Sequence, residues 1–150
     1  MTYDTLELST QALIAEAERR GISVEVIDAH DNFIALRRGG RTEYVKQATR
    51  TSADTYISAL LMENKQVTKH VLRAAGLVVP DGRHYHEVAV AQADAAFWLG
   101  RRIVVKPNST NFGEGVVILG PHASREDYAA AVATAFSHDT SVLVEEFVEG

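Results

Sequence analysis

The chain has 150 residues, is 46% hydrophobic and 23% charged, carries a formal charge of −5 and contains no cysteine. This is long enough for one ordinary core, no run approaches the about 20 consecutive apolar residues of a membrane-spanning helix, and the opening Met1-Thr2-Tyr3-Asp4-Thr5 lacks the basic and apolar regions of a signal peptide. Without cysteine there are no disulfides, thiolate metal sites or thiol nucleophiles, which fits a reducing cytoplasm; interspersed charges exclude general attraction to nucleic acid, so any phosphate binding must be local.

Residues 9–20 read as a helix, with Ser9 or Thr10 as cap, Leu13, Ile14 and Ala17 as apolar stripe, and Gly21 at the C′ position. Ser23–Asp28 alternates as a strand does. Phe33–Arg37 and Thr42–Lys46 are two further short strands, and Gly39-Gly40 between them suits a tight hairpin turn. Residues 47–57 are polar, Thr-rich and aperiodic, and read as a connecting loop. Residues 58–75 read as helix in two pieces broken near Asn64. Asn64 caps the second piece, Val67, Val71 and Leu72 face inward, and Gly76 ends it.

Residues 77–82 turn the chain, and the Ala-rich stretch Val88–Leu99 reads as helical. Ile103–Lys106 and Val116–Leu119 are short apolar strands joined by the loop 107–115. Ser124-Arg125-Glu126-Asp127 has capping-box spacing and opens a helix to about residue 136. Ser141–Phe147 is a last strand. Mixed helices and strands, with two hairpins that imply antiparallel pairing, define an α+β fold more than a parallel α/β sheet.

Three segments carry chemistry. Lys106-Pro107-Asn108-Ser109-Thr110-Asn111-Phe112-Gly113-Glu114-Gly115 lies between two strands. Its glycines and small polar residues let backbone approach a ligand and aim N–H groups at phosphate oxygens, with Lys106 as a cation at the base. It is not a Walker A loop, because no Gly-Lys-Ser/Thr follows; a long hairpin loop reads as well from these residues alone. Lys65 and Lys69 share a helix face at i, i+4, which suits either a solvated face or a nearby anion. Val142–Gly150 runs an apolar strand into Glu145, Glu146 and Glu149: a strand leaving the core, or an edge that reads a base through its backbone. His84-Tyr85-His86-Glu87, read as loop, has no matching ligand set at zinc-site spacing, so no metal is assigned. Ser137, His138 and Asp139 are adjacent in sequence, which says nothing of a triad.

Taken in order, the helix lysine, the strand lysine with its Gly-rich loop and the Glu-Glu-Phe-Val strand resemble ATP-grasp enzymes. Glu7–Ile14, Glu43–Thr49 and Met62-Glu63-Asn64-Lys65 with Val67-Thr68-Lys69 resemble more closely the bifunctional glutamate–cysteine ligase/glutathione synthetase family, in the stretch leading into its C-terminal ATP-grasp module. Ile103–Lys106, Ser109–Gly115 and Thr140–Phe147 continue the resemblance.

The resemblance implies a partial ATP-grasp fold: a small N-terminal α/β part over 1–57, then the first ATP-grasp lobe over 58–150 with a phosphate-binding β-hairpin. It implies that Lys65 and Lys106 reach the ATP phosphates. Ser109, Thr110, Asn111, Phe112, Gly113 and Gly115 would belong to the loop that closes over them. Glu145, Glu146 and Val148 would belong to the adenine segment, with the Glu146 carbonyl and Val148 N–H taking the base edge. The implied reaction joins γ-glutamylcysteine to glycine through an acyl phosphate. A D-alanine–D-alanine or cyanophycin-type ligase, and a non-catalytic nucleotide-binding module, are the alternatives. The implied Mg2+ ligands lie beyond residue 150, so the expectation is a fragment of that module that binds ATP without a catalytic or metal-ligating residue of its own. No membrane or nucleic-acid partner is expected, and the oligomeric state is left open.

Overall fold

The computed structural model describes residues 3–149. The chain divides into two units, Met1–Ala59 and Leu60–Gly150.

In the first unit α1 (Leu8–Arg19) is followed by β1 (Ser23–Asp28), β2 (Phe33–Arg38) and β3 (Arg41–Lys46), an antiparallel meander in the order β1-β2-β3. The turn between β2 and β3 is the two-residue kind expected from Gly39-Gly40: Arg38 pairs with Arg41, and the glycines have φ of 57° and 78°. A type I′ hairpin needs positive φ at both central positions, which only glycine adopts without steric cost. Leu6, Ile14, Ile34 and Val45 form the buried cluster that joins α1 to the sheet. The capping expectation is corrected. The N-cap is Glu7, without a side-chain cap, and Ser9 and Thr10 lie inside the helix. Asn32 Oδ1 accepts from the Glu7 N–H at 2.7 Å, so a distant loop anchors the residue from which the helix starts.

α2 (Tyr56–Glu63) begins inside the stretch read as loop and buries none of its residues. Asn64 separates it from α3 (Lys65–Ala74), and its side chain accepts from Val67 N at 2.9 Å, as a cap should. The inward face expected for α3 is corrected. Val71 and Leu72 are exposed, and no residue of this helix is fully buried. Along one side Lys65, Lys69 and Arg73 succeed one another at i, i+4 and i+8. Lys65 reaches the Asn108 and Thr110 carbonyls, Lys69 the Glu145 carboxylate and Arg73 the Asp81 carboxylate. A cationic row, rather than an apolar one, docks the helix.

The second unit continues with β4 (Gly82–Tyr85), α4 (Val88–Ala93), α5 (Ala95–Trp98), β5 (Ile103–Pro107), β6 (Val117–Leu119), α6 (Arg125–His138) and β7 (Val142–Glu146). The sheet order is β4-β7-β5-β6 and every pairing is antiparallel. β5 and β6 pair as read, Ile103 with Leu119 and Val105 with Val117. β4 corrects the loop reading of His84 and Tyr85. The edge of β7 captures this segment, and Gly82 permits it, since a Cβ there would meet the Glu145 Cβ and the Val144 carbonyl at 2.7 Å each.

Trp98, Tyr128, Ile103, Val105, Val132, Val142 and Val144 fill one face of the sheet beneath α4, α5 and α6. Within it Trp98 Nε1 donates to the Tyr85 hydroxyl at 2.8 Å, which donates to Asp94 Oδ2 at 2.6 Å. Asp94 also accepts from Arg83 and falls between α4 and α5, where the helix read over 88–99 is interrupted. The Ser124–Asp127 capping box is complete.

Candidate functional site

Strand alternation sends Val142 and Val144 of β7, and Ile103 and Val105 of β5, into the core. Glu145 and Lys106 therefore lie on the opposite face. Glu145 is buried, at 4% exposure, and its two carboxylate oxygens are divided between two ammonium groups. Oε2 accepts from Lys69 Nζ at 2.7 Å, and Oε1 accepts from Lys106 Nζ. A buried carboxylate is tolerable only when paired in this way.

Lys65 is the first residue of α3. Its backbone N–H donates to the Asn108 carbonyl at 3.2 Å, and its ammonium donates to the same carbonyl and to that of Thr110. Asn108, 3% exposed, also offers Oδ1 to the Gln66 N–H at 3.0 Å, while its own N–H donates to Ser141 O. The start of α3 is thus tied to the loop after β5. Burial, and then the charge of Lys106, hold the Lys65 ammonium below its ordinary pKa, with Asp139 and Glu145 opposing. Lys65, Lys106 and Glu145 therefore belong to one electrostatic group, and Lys69, seen in the sequence for its spacing but assigned no role, completes it.

The loop read as 107–115 starts one residue later, because Pro107 belongs to β5 and pairs with Val142. Phe112, Gly113 and Gly115 have φ of 55°, 80° and 70°. A Cβ at Gly115 would meet Pro107 Cγ at 2.7 Å and His138 Cδ2 at 2.8 Å, so the turn closes only on glycine. Phe112 stands 86% exposed in a left-handed conformation that non-glycine residues seldom take. Thr110 Oγ1 donates to the Glu114 carbonyl at 2.9 Å, and Glu114 N–H donates to Asn111 O. The Ser109 N–H is held by Asp139 Oδ2 at 2.7 Å. Burial raises the Asp139 pKa, but the N–H groups of Ser109, Ser141 and Thr140 outweigh it and the net shift is downward.

Glu146 turns to the other side from Glu145. Its carboxylate accepts from Arg101 at 2.9 Å and lines a cavity of about 330 Å3 with Arg73, Arg83, Phe97 and Trp98. The end of β7 and the residue after it are fixed by Glu146 N–H to Asp81 O and Phe147 N–H to Arg102 O, and Val148 follows with its side chain exposed. His84 and His86 meet edge to face at 4.4 Å, and burial, then His86, depress the His84 pKa. Among the described residues no three His, Cys, Asp or Glu stand together as a metal site, and no helix is long and apolar enough to cross a membrane.

This mixed α/β architecture with antiparallel sheets is ATP-grasp-like, and the sequence profile of the ATP-grasp-like domain matches residues 4–57. Structures of that class agree: a D-alanine–D-alanine ligase from Bacillus anthracis aligns at TM-score 0.52 and 28% identity over 62% of this chain and 30% of its own. More particularly, the chain is similar along its length to bifunctional glutathione biosynthesis proteins. It is 51% identical to that of Clostridium perfringens over 99% of this chain and 19% of the relative. With that of Desulfotalea psychrophila it shares 47% over 97% of this chain and 19% of the relative. The crystal structure of a bifunctional glutathione synthetase from Pasteurella multocida aligns at TM-score 0.50 and 44% identity, over 99% of this chain and 20% of that one. The chain spans about one fifth of the length of the curated relatives it matches.

Proposed function

We propose that this chain supplies the ATP-binding part of a carboxylate–amine ligase, and that the ligase makes glutathione from γ-glutamylcysteine and glycine through an acyl phosphate in the cytoplasm. The observation that carries the nucleotide reading is the convergence of Lys65, Lys69 and Lys106 about the single buried carboxylate of Glu145. Three ammonium groups against the carboxylates of Glu145 and Asp139 leave an excess of positive charge beside a glycine-containing loop, which suits a polyphosphate. The loop 109–115 closes over the phosphates, and the backbone of Glu146 and Val148 takes the adenine edge. The glutathione reading is supported by similarity to the bifunctional proteins over nearly the whole chain. It is preferred to the D-alanine ligase reading, whose relatives align at lower identity over less of the chain.

ATP-grasp chemistry uses magnesium to neutralise the transferring phosphoryl group. Among the described residues no cluster of three candidate metal ligands is present, and the resemblance puts the magnesium ligands beyond residue 150.

Charge-assisted hydrogen bonds to phosphate contribute about 1.5–3 kcal/mol each. Fixing the nucleotide and ordering the loop cost about 4 kcal/mol or more. The balance corresponds to a Kd on the order of 0.1 mM, near −5 to −6 kcal/mol. Calorimetry of the full chain with ATP is expected to find that range, with little change on adding magnesium and about tenfold loss for Lys106→Ala, the value of one such bond. Failure of the wild-type chain to bind ATP at millimolar concentrations would remove the nucleotide reading.

A further inference from the structure

We propose that Lys69 is a positioning residue for the nucleotide phosphates: it holds the Glu145 carboxylate so that Lys106 can leave it for a phosphate oxygen. The inference rests on the nucleotide reading above. Glu145 has a side-chain exposure of 5%, against 13% for Lys69 and 21% for Lys106. The more exposed lysine is the one assigned to phosphate, and the deeper one is fixed on α3. Each takes a different carboxylate oxygen, so neither must leave for the other to bind.

The neighbouring charges offer no substitute. Lys65 rests on the Asn108 and Thr110 carbonyls, and Asp139 is committed to the Ser109 N–H. With Lys69 present, transfer of Lys106 from Glu145 to phosphate leaves the carboxylate with one ammonium partner. Without Lys69 the same movement strands a buried, unpaired carboxylate, a state far costlier than a lost surface pair. Lys106 would then stay on Glu145, and the nucleotide would meet a site with its cation already engaged.

The test uses the full chain as wild type, as Lys69→Met, as Lys69→Arg, and as Lys69→Met combined with Glu145→Gln. ATP and adenosine affinities are measured by NMR titration, and folding by urea midpoint. Lys69→Met is expected to weaken ATP by about ten- to hundredfold, the value of one charge-assisted bond. Adenosine should change by less than about twofold, because no phosphate is involved. Lys69→Arg keeps the pair and most of the affinity. The double variant has no carboxylate to neutralise, so it should regain ATP affinity to within about threefold of wild type.

A folded Lys69→Met chain with unchanged ATP affinity overturns the proposal. So does equal loss of ATP and adenosine, which a merely structural lysine would produce, or a folded double variant that stays about tenfold weak. If Lys69→Met fails to fold, the double variant decides alone. Absence of ATP binding by the wild type refutes the nucleotide reading itself, and is told apart by requiring no variant.

Discussion

Asn108 is where helix stability and ligand affinity can be separated, and two substitutions do so. Its Oδ1 accepts from the Gln66 N–H at 3.0 Å, one of the unpaired donors at the start of α3, and the residue is 3% exposed. Asn108→Ala removes that acceptor and leaves the donor buried behind it. The loss of a capping side chain costs about 0.5–2 kcal/mol, and burial puts this site in the upper half of the range. Asn108→Asp keeps the acceptor and adds a negative charge at the helix N-terminus, where it is favoured by about 0.3–1 kcal/mol. The same charge stands beside Lys65 and opposes a phosphate. The expected outcome is that Ala lowers the urea midpoint at constant slope, with an unfolding free energy smaller by about 1–2 kcal/mol, while Asp stays within about 0.5 kcal/mol of wild type. ATP affinity should nonetheless fall with Asp. Equal stability of the two variants would show that Oδ1 does not hold the start of α3, and undiminished ATP binding by the Asp variant would show that Asn108 does not border the phosphates.

Gly82→Ala should destabilise by about 1–3 kcal/mol in the same assay, because its Cβ meets the Glu145 Cβ and Val144 carbonyl at 2.7 Å and one strand must shift. Gly115→Ala should be similarly costly, since positive φ and the contacts with Pro107 and His138 act together. Alkali should unfold the protein through Tyr85, whose pKa burial and its bond to Asp94 push from 10.0 to about 12. The unfolded tyrosine ionises first, so the stability is fully present below pH 10 and is lost as pH rises through about 12. Tyr85→Phe should flatten that loss and, by leaving Trp98 Nε1 unpaired, cost about 1–3 kcal/mol at neutral pH.

What was legible in the sequence was local. Gly39-Gly40, Asn64 and Ser124–Asp127 act through bonds spanning a few residues, and each forms the turn or cap expected of it. β1 follows from the alternation of Ser23–Asp28. β4 was not legible, because four residues around His84 have no strand pattern of their own; they become a strand because β7 offers an edge and Gly82 lets it approach. The bond that anchors Glu7 was missed for the same reason, since Asn32 lies 25 positions from it. At the site, Lys65 and Lys106 could be named from their setting. Glu145 was visible as a carboxylate at the end of an apolar strand, and through the resemblance as part of a base-reading segment, but its place between Lys69 and Lys106 became visible only once β7 and β5 paired. Lys69 was visible as a spacing, but its partner lies 76 positions away.

The docking of α3 bears on what the site is for. Periodicity alone would turn Val71 and Leu72 inward, and an apolar face packed on a sheet is the ordinary way to hold a helix. Here both residues are exposed, and Lys65, Lys69 and Arg73 make the attachments instead. Buried ion pairs seldom stabilise a fold as well as packed hydrocarbon of similar volume. Arg73 and Asp81 are exposed besides, so their pair contributes little. Stability therefore does not account for the arrangement. An apolar attachment would fix α3 equally well, whereas the present one brings the ammonium groups of Lys65 and Lys69 beside Lys106, as the proposed phosphate site requires. A helix with no fully buried residue is the one that assembles the positive cluster.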